Sequence, residues 1–292
     1  MRPTGKINFA GAEGLGTGLI EGGCDIIQSL EYDKYAVQTI KLNHSHKVVS
    51  EDIRNTTVLD QERSDFVALT FPCTKYSAIA DIHGTRTGDD LFLHGFRHLA
   101  LEMPEAFVVE NVPGMKKFKV VMECFTKIPS YYINVFCPID ALNWLPQKRQ
   151  RLIVIGTRKP FSISPPQTPN RRLQLKDIIE KGAEVHTPDY VKKRLSGGYR
   201  DLPIISDPER GDVAPTCVAH YSKDVSTRLI KDGNRIRPYT VREYARLQGF
   251  PDSYQFAGGD REAYKQIGNA VAVPVGRWIG EQLNRYFNRT AA

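Results

Sequence analysis

Residues 6–31 read KINFAGAEGLGTGLIEGGCDIIQSLE, and this stretch decides the fold. An apolar run at residues 6–9 leads into a glycine-rich turn, a helical stretch at residues 16–22 and a second apolar run at residues 26–30. A strand, a helix and another strand in close succession form the unit from which parallel sheets are built. We therefore predict an α/β protein whose first strand ends at a glycine turn.

The same alternation continues through the first half of the chain. Two further helical stretches and five further strand-like runs follow in turn, which predicts a parallel sheet covered by helices on both faces. The predicted helices span residues 34–42 and 95–102, and the predicted strands span residues 48–49, 66–71, 106–109, 131–136 and 152–156.

Four prolines, at positions 160, 165, 166 and 169, mark a change in amino-acid composition and a predicted domain boundary. Residues 1–160 are predicted to form a large domain. Residues 161–256 are richer in Lys, Arg, Gly and Pro, which favours a small, loop-rich, basic domain over more sheet. Residues 257–292, with helices predicted at residues 262–266 and 273–287, are expected to return to the large domain.

Composition narrows the function classes. The chain has 292 residues and a net charge of +7, which would favour binding to polyanions but is weak evidence alone. Its five cysteines are scattered, with no CxxC pair, so we expect neither a disulfide framework nor a metal site. No signal peptide or membrane-spanning segment is recognisable, which predicts an intracellular protein without a membrane partner.

Acidic residues follow two consecutive strands after the glycine turn. Glu31 ends the second apolar run, where doubly wound folds place a carboxylate against ribose hydroxyls, and Tyr32 beside it could stack on adenine. Asp52, followed by Ile53, could accept a hydrogen bond from an adenine amino group. Together with the turn these residues predict a nucleoside-bearing cofactor. A nicotinamide cofactor stays open, although the turn lacks the dinucleotide GxGxxG pattern.

A second set of strand ends carries groups suited to chemistry. Cys73 follows the run at residues 66–71, and Pro72 restricts the backbone before it, so its thiol could be a nucleophile. Glu110 follows the next strand. Gln147, Arg149 and Arg151 alternate, and on an extended segment all three would point the same way. A nucleophile, a carboxyl group and a guanidinium group are therefore predicted to converge.

These motifs together resemble the cytosine-5-specific DNA methyltransferase family of bacteria and phages, over nearly the whole chain. They occur in the family's order: residues 9–11, Glu31, residues 52–53, 71–73 and 110–112, Gln147 with Arg149 and Arg151, residues 242–251 and residues 268–271. The resemblance implies a Rossmann-like fold that uses S-adenosylmethionine and releases S-adenosylhomocysteine. It implies cofactor contacts from Phe9, Gly11, Gly14, Glu31, Tyr32, Asp52, Ile53, Pro72, Leu91, Asn269 and Val271.

The resemblance also implies a mechanism. The Cys73 thiolate would add to carbon 6 of cytosine so that carbon 5 can take the methyl group. Glu110 would contact N3 and the exocyclic amine. Arg151, and secondarily Arg149, would neutralise charge at O2 and favour the thiolate. Asn111 would order the loop that holds the cysteine.

The resemblance implies that the partner is double-stranded DNA. It also implies a monomeric enzyme in the cytoplasm of a bacterial or phage-infected cell, as in restriction–modification systems. The target cytosine would be flipped out of the duplex, with residues 76–90 closing over it. Residues 161–256 would then read the site. The candidate DNA contacts are Ser77, Arg86, Gln147, Tyr221, Lys223 and Arg228, with Tyr199, Arg200, His220 and Ser222 beside them.

Two departures and three alternatives accompany this interpretation. Glu13 stands where the family usually has glycine and is expected to bring a negative charge near the cofactor, and Thr74-Lys75 replaces the commoner residues after the cysteine. The alternatives are a tRNA cytosine-5 methyltransferase, a catalytically silent DNA-binding homologue, and a nicotinamide-dependent oxidoreductase. Cys73, Glu110 and Arg151 together argue against the silent homologue, and the second half of the chain argues against the oxidoreductase.

Overall fold

The computed structural model describes residues 1–58, 62–72, 91–198 and 202–290, apart from the side chain of residue 290. Strands β1 to β7 of the main sheet are Thr4–Asn8, Asp25–Leu30, Lys47–Val49, Phe66–Leu69, Ala106–Asn111, Tyr132–Asp140 and Gln150–Thr157. Helices α1 to α4 are Gly14–Glu21, Lys34–Asn43, Leu91–Glu102 and Lys119–Thr126.

The main sheet has seven strands in the order β3-β2-β1-β4-β5-β7-β6. Residues alternate between its two faces because side chains in a strand point to opposite sides. In β4, Phe66 and Ala68 join the apolar cluster under α1, whereas Val67 and Leu69 join the cluster under α3 and α4. Both faces are therefore covered, which confirms the predicted α/β fold class.

One strand departs from the parallel pattern. β7 lies antiparallel between β5 and β6, because the short connection at residues 141–149 turns the chain back directly after β6. The reversal brings the first residues of β7 to the carboxyl edge of the sheet, where β5 ends. Asn111 at the end of β5 is opposite Leu152, so Arg151 lies just beyond it.

The second half of the chain builds a smaller lobe. Its strands β8 to β10 are Ile204–Ser206, Arg228–Asp232 and Arg235–Pro238, and they form a separate three-stranded sheet that the loop-rich expectation did not include. Its helices α5 to α7 are Leu175–Ile178, Asp189–Leu195 and Val241–Leu247. The domain boundaries stay a prediction.

Two helices follow this lobe. They are α8, Asp260–Asn269, and α9, Val273–Thr290. Tyr264 and Ile267 of α8 join the apolar cluster of the small lobe, whereas α9 returns to the large sheet. Helix α9 packs closely along α1, where Gly18 faces the backbone of α9 and Gly280 faces the backbone of α1. Within the described part of the chain, no helix is long and apolar enough to cross a membrane.

Candidate active site

A pocket of about 510 Å³ opens at the carboxyl edge of the main sheet. Its wall combines the turn after β1, the ends of β2, β4 and β5, the start of α3 and the segment after α8. All of the predicted cofactor residues except Gly14 line it, namely Phe9, Gly11, Glu31, Tyr32, Asp52, Ile53, Pro72, Leu91, Asn269 and Val271. Glu110, Asn111 and Arg151 line it as well.

Glu31 is held in a fixed orientation by three backbone N–H groups. Gly11 donates to one carboxyl oxygen at 2.8 Å, and Tyr32 and Asp33 donate to the other at 3.0 and 2.9 Å. Burial raises the pKa of Glu31, and the three hydrogen bonds act in the opposite direction. A carboxylate has about four acceptor positions, so the group can still accept a ribose hydroxyl.

The backbone of the glycine turn is left-handed at three positions. Phe9 has a φ of 65°, Gly11 a φ of 57° and Glu13 a φ of 59°. A bulky residue rarely adopts this conformation, which costs of order 1–3 kcal/mol and persists where the surrounding structure imposes it. Phe9 lies on the pocket wall, two residues before the Gly11 N–H that donates to Glu31.

The opposite wall is a loop that carries Asp52 and Ile53. Arg54 donates from Nε and Nη2 to the Asp52 carboxylate, which lowers the pKa of Asp52. From α3, Arg97 donates to the carbonyl oxygens of Ile53 and Thr56 at 2.7 and 2.8 Å. The guanidinium group of Arg97 thus fixes the loop against α3.

This role of Arg97 was not predicted from the sequence, and neither was the ion pair between Asp33 and Lys265 at 2.7 Å. Asp33 also caps α2 by accepting from the N–H groups of Tyr35 and Ala36. An Asp immediately before a helical stretch is a cap signal that the sequence did contain. The partners of Arg97 and Lys265 are distant in sequence, and no local pattern indicates them.

The predicted catalytic carboxyl group of Glu110 and the guanidinium group of Arg151 meet at the other end of the pocket. Arg151 Nε lies 2.8 Å from Glu110 Oε1, and both side chains are mostly buried. The reversed direction of β7 makes this contact, because it places the start of β7 beside the end of β5. Arg151 also donates to the carbonyl oxygen of Gln150.

Asn111 connects this end of the pocket to the segment before Cys73. Its Nδ2 donates to the carbonyl oxygen of Phe71 at 3.0 Å, and its Oδ1 accepts from the Val112 N–H. Pro72 follows on the pocket wall. Cys73 itself lies outside the described residues, as do Thr74, Lys75, Ser77 and Arg86, and Tyr199 and Arg200.

The structure does not bring Gln147 and Arg149 to the pocket. Both precede β7 and are buried, so the alternation of a strand does not apply to them. Arg149 donates to the carbonyl oxygens of Cys217, Gly268 and Ala270. Gln147 bonds to Leu247, Gln248 and Cys217. These side chains join the small lobe to the segment that supplies Asn269 and Val271, so we correct their predicted roles at O2 and at DNA.

Two residues of the glycine turn also differ from expectation. A Cβ at Gly14 would lie 2.3 Å from the Val271 carbonyl oxygen, so Gly14 permits close packing and does not line the pocket. Glu13 is fully buried on the far side of the turn, accepts from Ser29 Oγ at 2.8 Å and lies 3.8 Å from His46. Burial raises the pKa of Glu13 to about 8, so at neutral pH it brings no full charge to the cofactor.

The predicted DNA contacts in the small lobe differ in their exposure to solvent. Tyr221 is buried, stacks on Tyr244 and donates to the Arg228 carbonyl oxygen, so it belongs to the core. Arg228 is half-buried and donates to the Thr216 carbonyl oxygen. Lys223 is exposed beside a second cleft. Tyrosine at the surface and tyrosine in the core have no distinguishing sequence signal here.

The fold and this site define a class of α/β proteins that have a pocket at the carboxyl edge of the sheet, with a paired carboxylate and guanidinium group at one end. The sequence profile of C-5 cytosine-specific DNA methylases matches residues 8–200 and 179–285. The chain belongs to this family, whose members are DNA cytosine-5 methyltransferases that use S-adenosylmethionine, and the resemblance drawn from its motifs is confirmed.

Several curated relatives match over nearly the whole chain. Type II methyltransferase M.NlaX of Neisseria lactamica is 32% identical over 302 residues, which cover 94% of each chain. Type II methyltransferase M.Sau96I of Staphylococcus aureus is 30% identical and covers 96% of this chain and 75% of its own.

Solved structures show the same fold at low sequence identity. The Entamoeba histolytica methyltransferase EhMeth superposes with a TM-score of 0.80 at 18% identity, covering 98% of this chain and 99% of its own. The Dnmt2 methyltransferase of S. pombe gives a TM-score of 0.80 at 18% identity, covering 98% of this chain and all of its own.

Proposed function

We propose that the protein transfers a methyl group from S-adenosylmethionine to carbon 5 of cytosine in a short double-stranded DNA site, with Cys73 as the nucleophile. The observation that supports this most directly is the contact between Glu110 and Arg151 at the end of the cofactor-sized pocket. A carboxylate and a guanidinium group held together there can bind one edge of a pyrimidine ring, which offers N3 and the exocyclic amine beside O2.

The residues fit the cofactor as well. Glu31 would accept the ribose hydroxyls, Tyr32 would cover one face of the adenine, and Asp52 would accept from its amino group. Tyr32 is exposed in the structure, so a bound adenine would shield an aromatic ring that otherwise faces water. When bound, S-adenosylmethionine supplies an electrophilic methyl group.

In the proposed reaction the Cys73 thiolate adds to carbon 6 of the cytosine while Glu110 gives a proton to N3. Electron density moves to carbon 5, which takes the methyl group. Loss of the carbon 5 proton to water, return of the N3 proton to Glu110 and departure of the Cys73 thiolate then restore the aromatic ring. Arg151 stabilises negative charge at O2, and Asn111 holds the segment that precedes Cys73 through Phe71.

A base within a duplex offers no access to carbon 6, so the proposal includes flipping of the target cytosine out of the stack. A duplex containing 2-aminopurine as the target's neighbour reports this step, since its fluorescence rises when stacking is lost. We expect the rise on binding even with Cys73→Ser, because flipping does not require the covalent bond.

The decisive test of the proposed function is transfer of labelled methyl groups from S-adenosylmethionine to mixed-sequence duplex DNA and, separately, to total tRNA. We expect 5-methylcytosine in DNA with the native protein and a loss of at least about a thousandfold with Cys73→Ser, because the nucleophilic route is removed. The variant should still bind S-adenosylhomocysteine with native affinity, which controls for folding.

Each other outcome rejects a defined part of the proposal. Label in tRNA alone would replace DNA by RNA as the substrate. Label in neither nucleic acid would reject the catalytic assignment in favour of a silent binding homologue. Full activity of Cys73→Ser would remove Cys73 from the mechanism.

A further inference from the structure

The loop after β3 forms one wall of the cofactor pocket, although its residues 50–57 contain no helix or strand. Residues 52–56 form a turn that is closed by its own hydrogen bonds. The Asp52 carbonyl oxygen accepts from the Asn55 N–H at 2.9 Å and from Thr56 Oγ1 at 3.1 Å. Because these bonds lie within the turn, they do not fix its place in the pocket wall. The position of the Asp52 carboxyl group therefore depends on what holds the turn from outside.

Arg97 of α3 holds the turn in this way. Its Nη2 atom lies 2.7 Å from the Ile53 carbonyl oxygen and 2.8 Å from the Thr56 carbonyl oxygen, so one nitrogen bridges both ends of the turn. The helix itself is packed on the sheet through Phe92 and Leu99, which are buried. A side chain on a rigid helix thus sets the position of a loop that has no regular structure.

Arg97 carries the positive charge at this contact. The adjacent His98 is buried, and burial lowers its pKa to about 4, so it is mainly neutral near pH 7. A guanidinium group stays protonated in proteins. Hydrogen bonds from a charged donor are about twice as strong as those between neutral groups. Substitution of Arg97 therefore removes two strong bonds from the turn.

The carboxyl group that the turn presents to the pocket is suited to one kind of partner. Hydrogen bonds from Arg54 lower the pKa of Asp52, so this group is ionised at neutral pH and can only accept. A purine with an amino group at carbon 6 offers it a donor. Hydrogen bonds of this kind need a donor–acceptor distance of about 2.7–3.2 Å. A shift of the turn by about 1 Å would therefore lose the contact.

We propose that Arg97 is a positioning residue that makes the cofactor pocket selective for a 6-aminopurine, because it holds the turn where the Asp52 carboxylate can accept from the amino group. The proposal rests on the proposed function for the identity of the cofactor. Arg97 does not line the pocket and acts only through the two carbonyl oxygens. Ile53 is buried, so the turn keeps its place in the fold without Arg97 but loses its exact position.

The test compares S-adenosylhomocysteine with its des-amino analogue, in which hydrogen replaces the adenine amino group, by calorimetric titration without nucleic acid. We expect the native protein to bind the analogue about tenfold to a hundredfold more weakly, because a charged acceptor loses its donor. Asp52→Ala should bind both ligands equally, which defines complete loss of selectivity. Arg97→Gln should bring the ratio of the two affinities close to one, mainly by weakening S-adenosylhomocysteine.

Two further variants at the same position sharpen the comparison. Arg97→Lys keeps a charged donor and should restore part of the selectivity. Arg97→Met keeps the packing of the side-chain stem but removes both hydrogen bonds, so it should match Arg97→Gln. It also serves as the second test if Arg97→Gln does not fold. Thermal unfolding without ligand verifies that each variant is folded.

Arg158→Gln is the matched control. Arg158 also donates to two loop carbonyl oxygens, those of Met103 at 3.0 Å and Pro104 at 3.4 Å. It follows β7 at the opposite edge of the sheet, where β5 begins. We expect this variant to keep the native ratio of the two affinities.

A native ratio in Arg97→Gln would overturn the proposal, even if both ligands bound more weakly, because general loosening of the pocket affects them equally. A native protein that binds both ligands equally would overturn it too. Methyl transfer to DNA judges the proposed function separately. Transfer with an unchanged ratio rejects the positioning role and keeps the enzyme, whereas a lost ratio without any transfer by the native protein keeps the role and rejects the enzyme.

Discussion

At the scale of single residues, Glu13 shows how burial alters the meaning of a charged side chain. Its sequence position beside the glycine turn predicted a negative charge at the cofactor. In the fold its carboxyl group points away from the pocket, toward Ser29 and His46. Burial also lowers the pKa of His46 to about 4, so both groups are mainly neutral near pH 7.

The pKa of Glu13 predicts how stability depends on pH. The carboxyl titrates near 4.5 when unfolded and near 8 when folded, so between these values the native state holds the proton more tightly. Rising pH therefore costs stability, by up to about 1.4 kcal/mol per pH unit for this group, until about pH 8. We expect Glu13→Gln to remove this slope in chemical denaturation between pH 6 and pH 8.

The comparison needs a carboxylate in a different environment. Glu123 on α4 is exposed, and Glu123→Gln serves as the matched substitution outside the core. If Glu13→Gln and the native chain lost stability in parallel over this window, Glu13 would already be ionised in the folded protein. The negative charge first expected at the turn would then be real.

At the scale of elements, close packing against α9 explains glycines in α1 that a ligand-binding role alone would not. A Cβ on Gly18 would lie 2.2 Å from the Val273 carbonyl oxygen and 2.6 Å from the Arg277 nitrogen. A Cβ on Gly280 would lie 2.7 Å from the Leu19 carbonyl oxygen. The two helices thus approach each other closely through small residues, and α1 in turn carries the pocket turn at its start.

This packing predicts that Gly18→Ala destabilises the protein. The added methyl meets backbone atoms, which cannot rotate away, so α1 and α9 must separate at a cost of about 1–3 kcal/mol, larger than the gain in helix propensity. Equilibrium denaturation measures the change. Gly95→Ala in α3 is the matched substitution, because its nearest new contact is a side-chain atom of Phe9 at 3.3 Å. Equal stability of the two variants would contradict the close packing.

The elements also show how far the sequence could predict the fold. The alternation of strands and helices from β1 to β5 follows from local apolar patterns. The boundaries agree within about two residues, except that the helix predicted at residues 95–102 begins at Leu91. The reversal of β7 could not be predicted, because a strand's own pattern does not specify its direction. That reversal is what places Arg151 beside Glu110.

The sequence correctly predicted which residues line the pocket where those residues lie at strand ends, and was less accurate for residues elsewhere. Glu31, Asp52 and Glu110 end or follow strands of one sheet, so topology alone gathers them. Arg149 and Tyr221 are chemically indistinguishable from catalytic or DNA-binding residues until their burial is known. Burial of that kind depends on contacts between distant segments, which one sequence does not display.

At the scale of the whole molecule, a few buried polar side chains couple the two lobes to the cofactor pocket. Gln147 and Gln248 bond to each other, and Gln248 also donates to the Ile267 and Ala270 carbonyl oxygens. Arg149 donates to three carbonyl oxygens, two of which belong to the segment that carries Asn269 and Val271. The pocket wall is therefore held from the small lobe.

Substitutions at Arg149 and Arg151, only two positions apart, should therefore affect different properties of the protein. Arg149→Ala leaves three buried carbonyl oxygens without this donor, and we expect a loss of about 3 kcal/mol in stability together with weaker binding of S-adenosylhomocysteine. Arg151→Ala removes the partner of Glu110 at the pocket's reactive end, and we expect native cofactor affinity with little methyl transfer. Calorimetric titration with S-adenosylhomocysteine and chemical denaturation separate the two effects. If Arg149→Ala instead kept native stability and cofactor affinity and lost only methyl transfer, its contacts with the carbonyl oxygens would be incidental, and Arg149 would return to the catalytic role that its sequence motif first indicated.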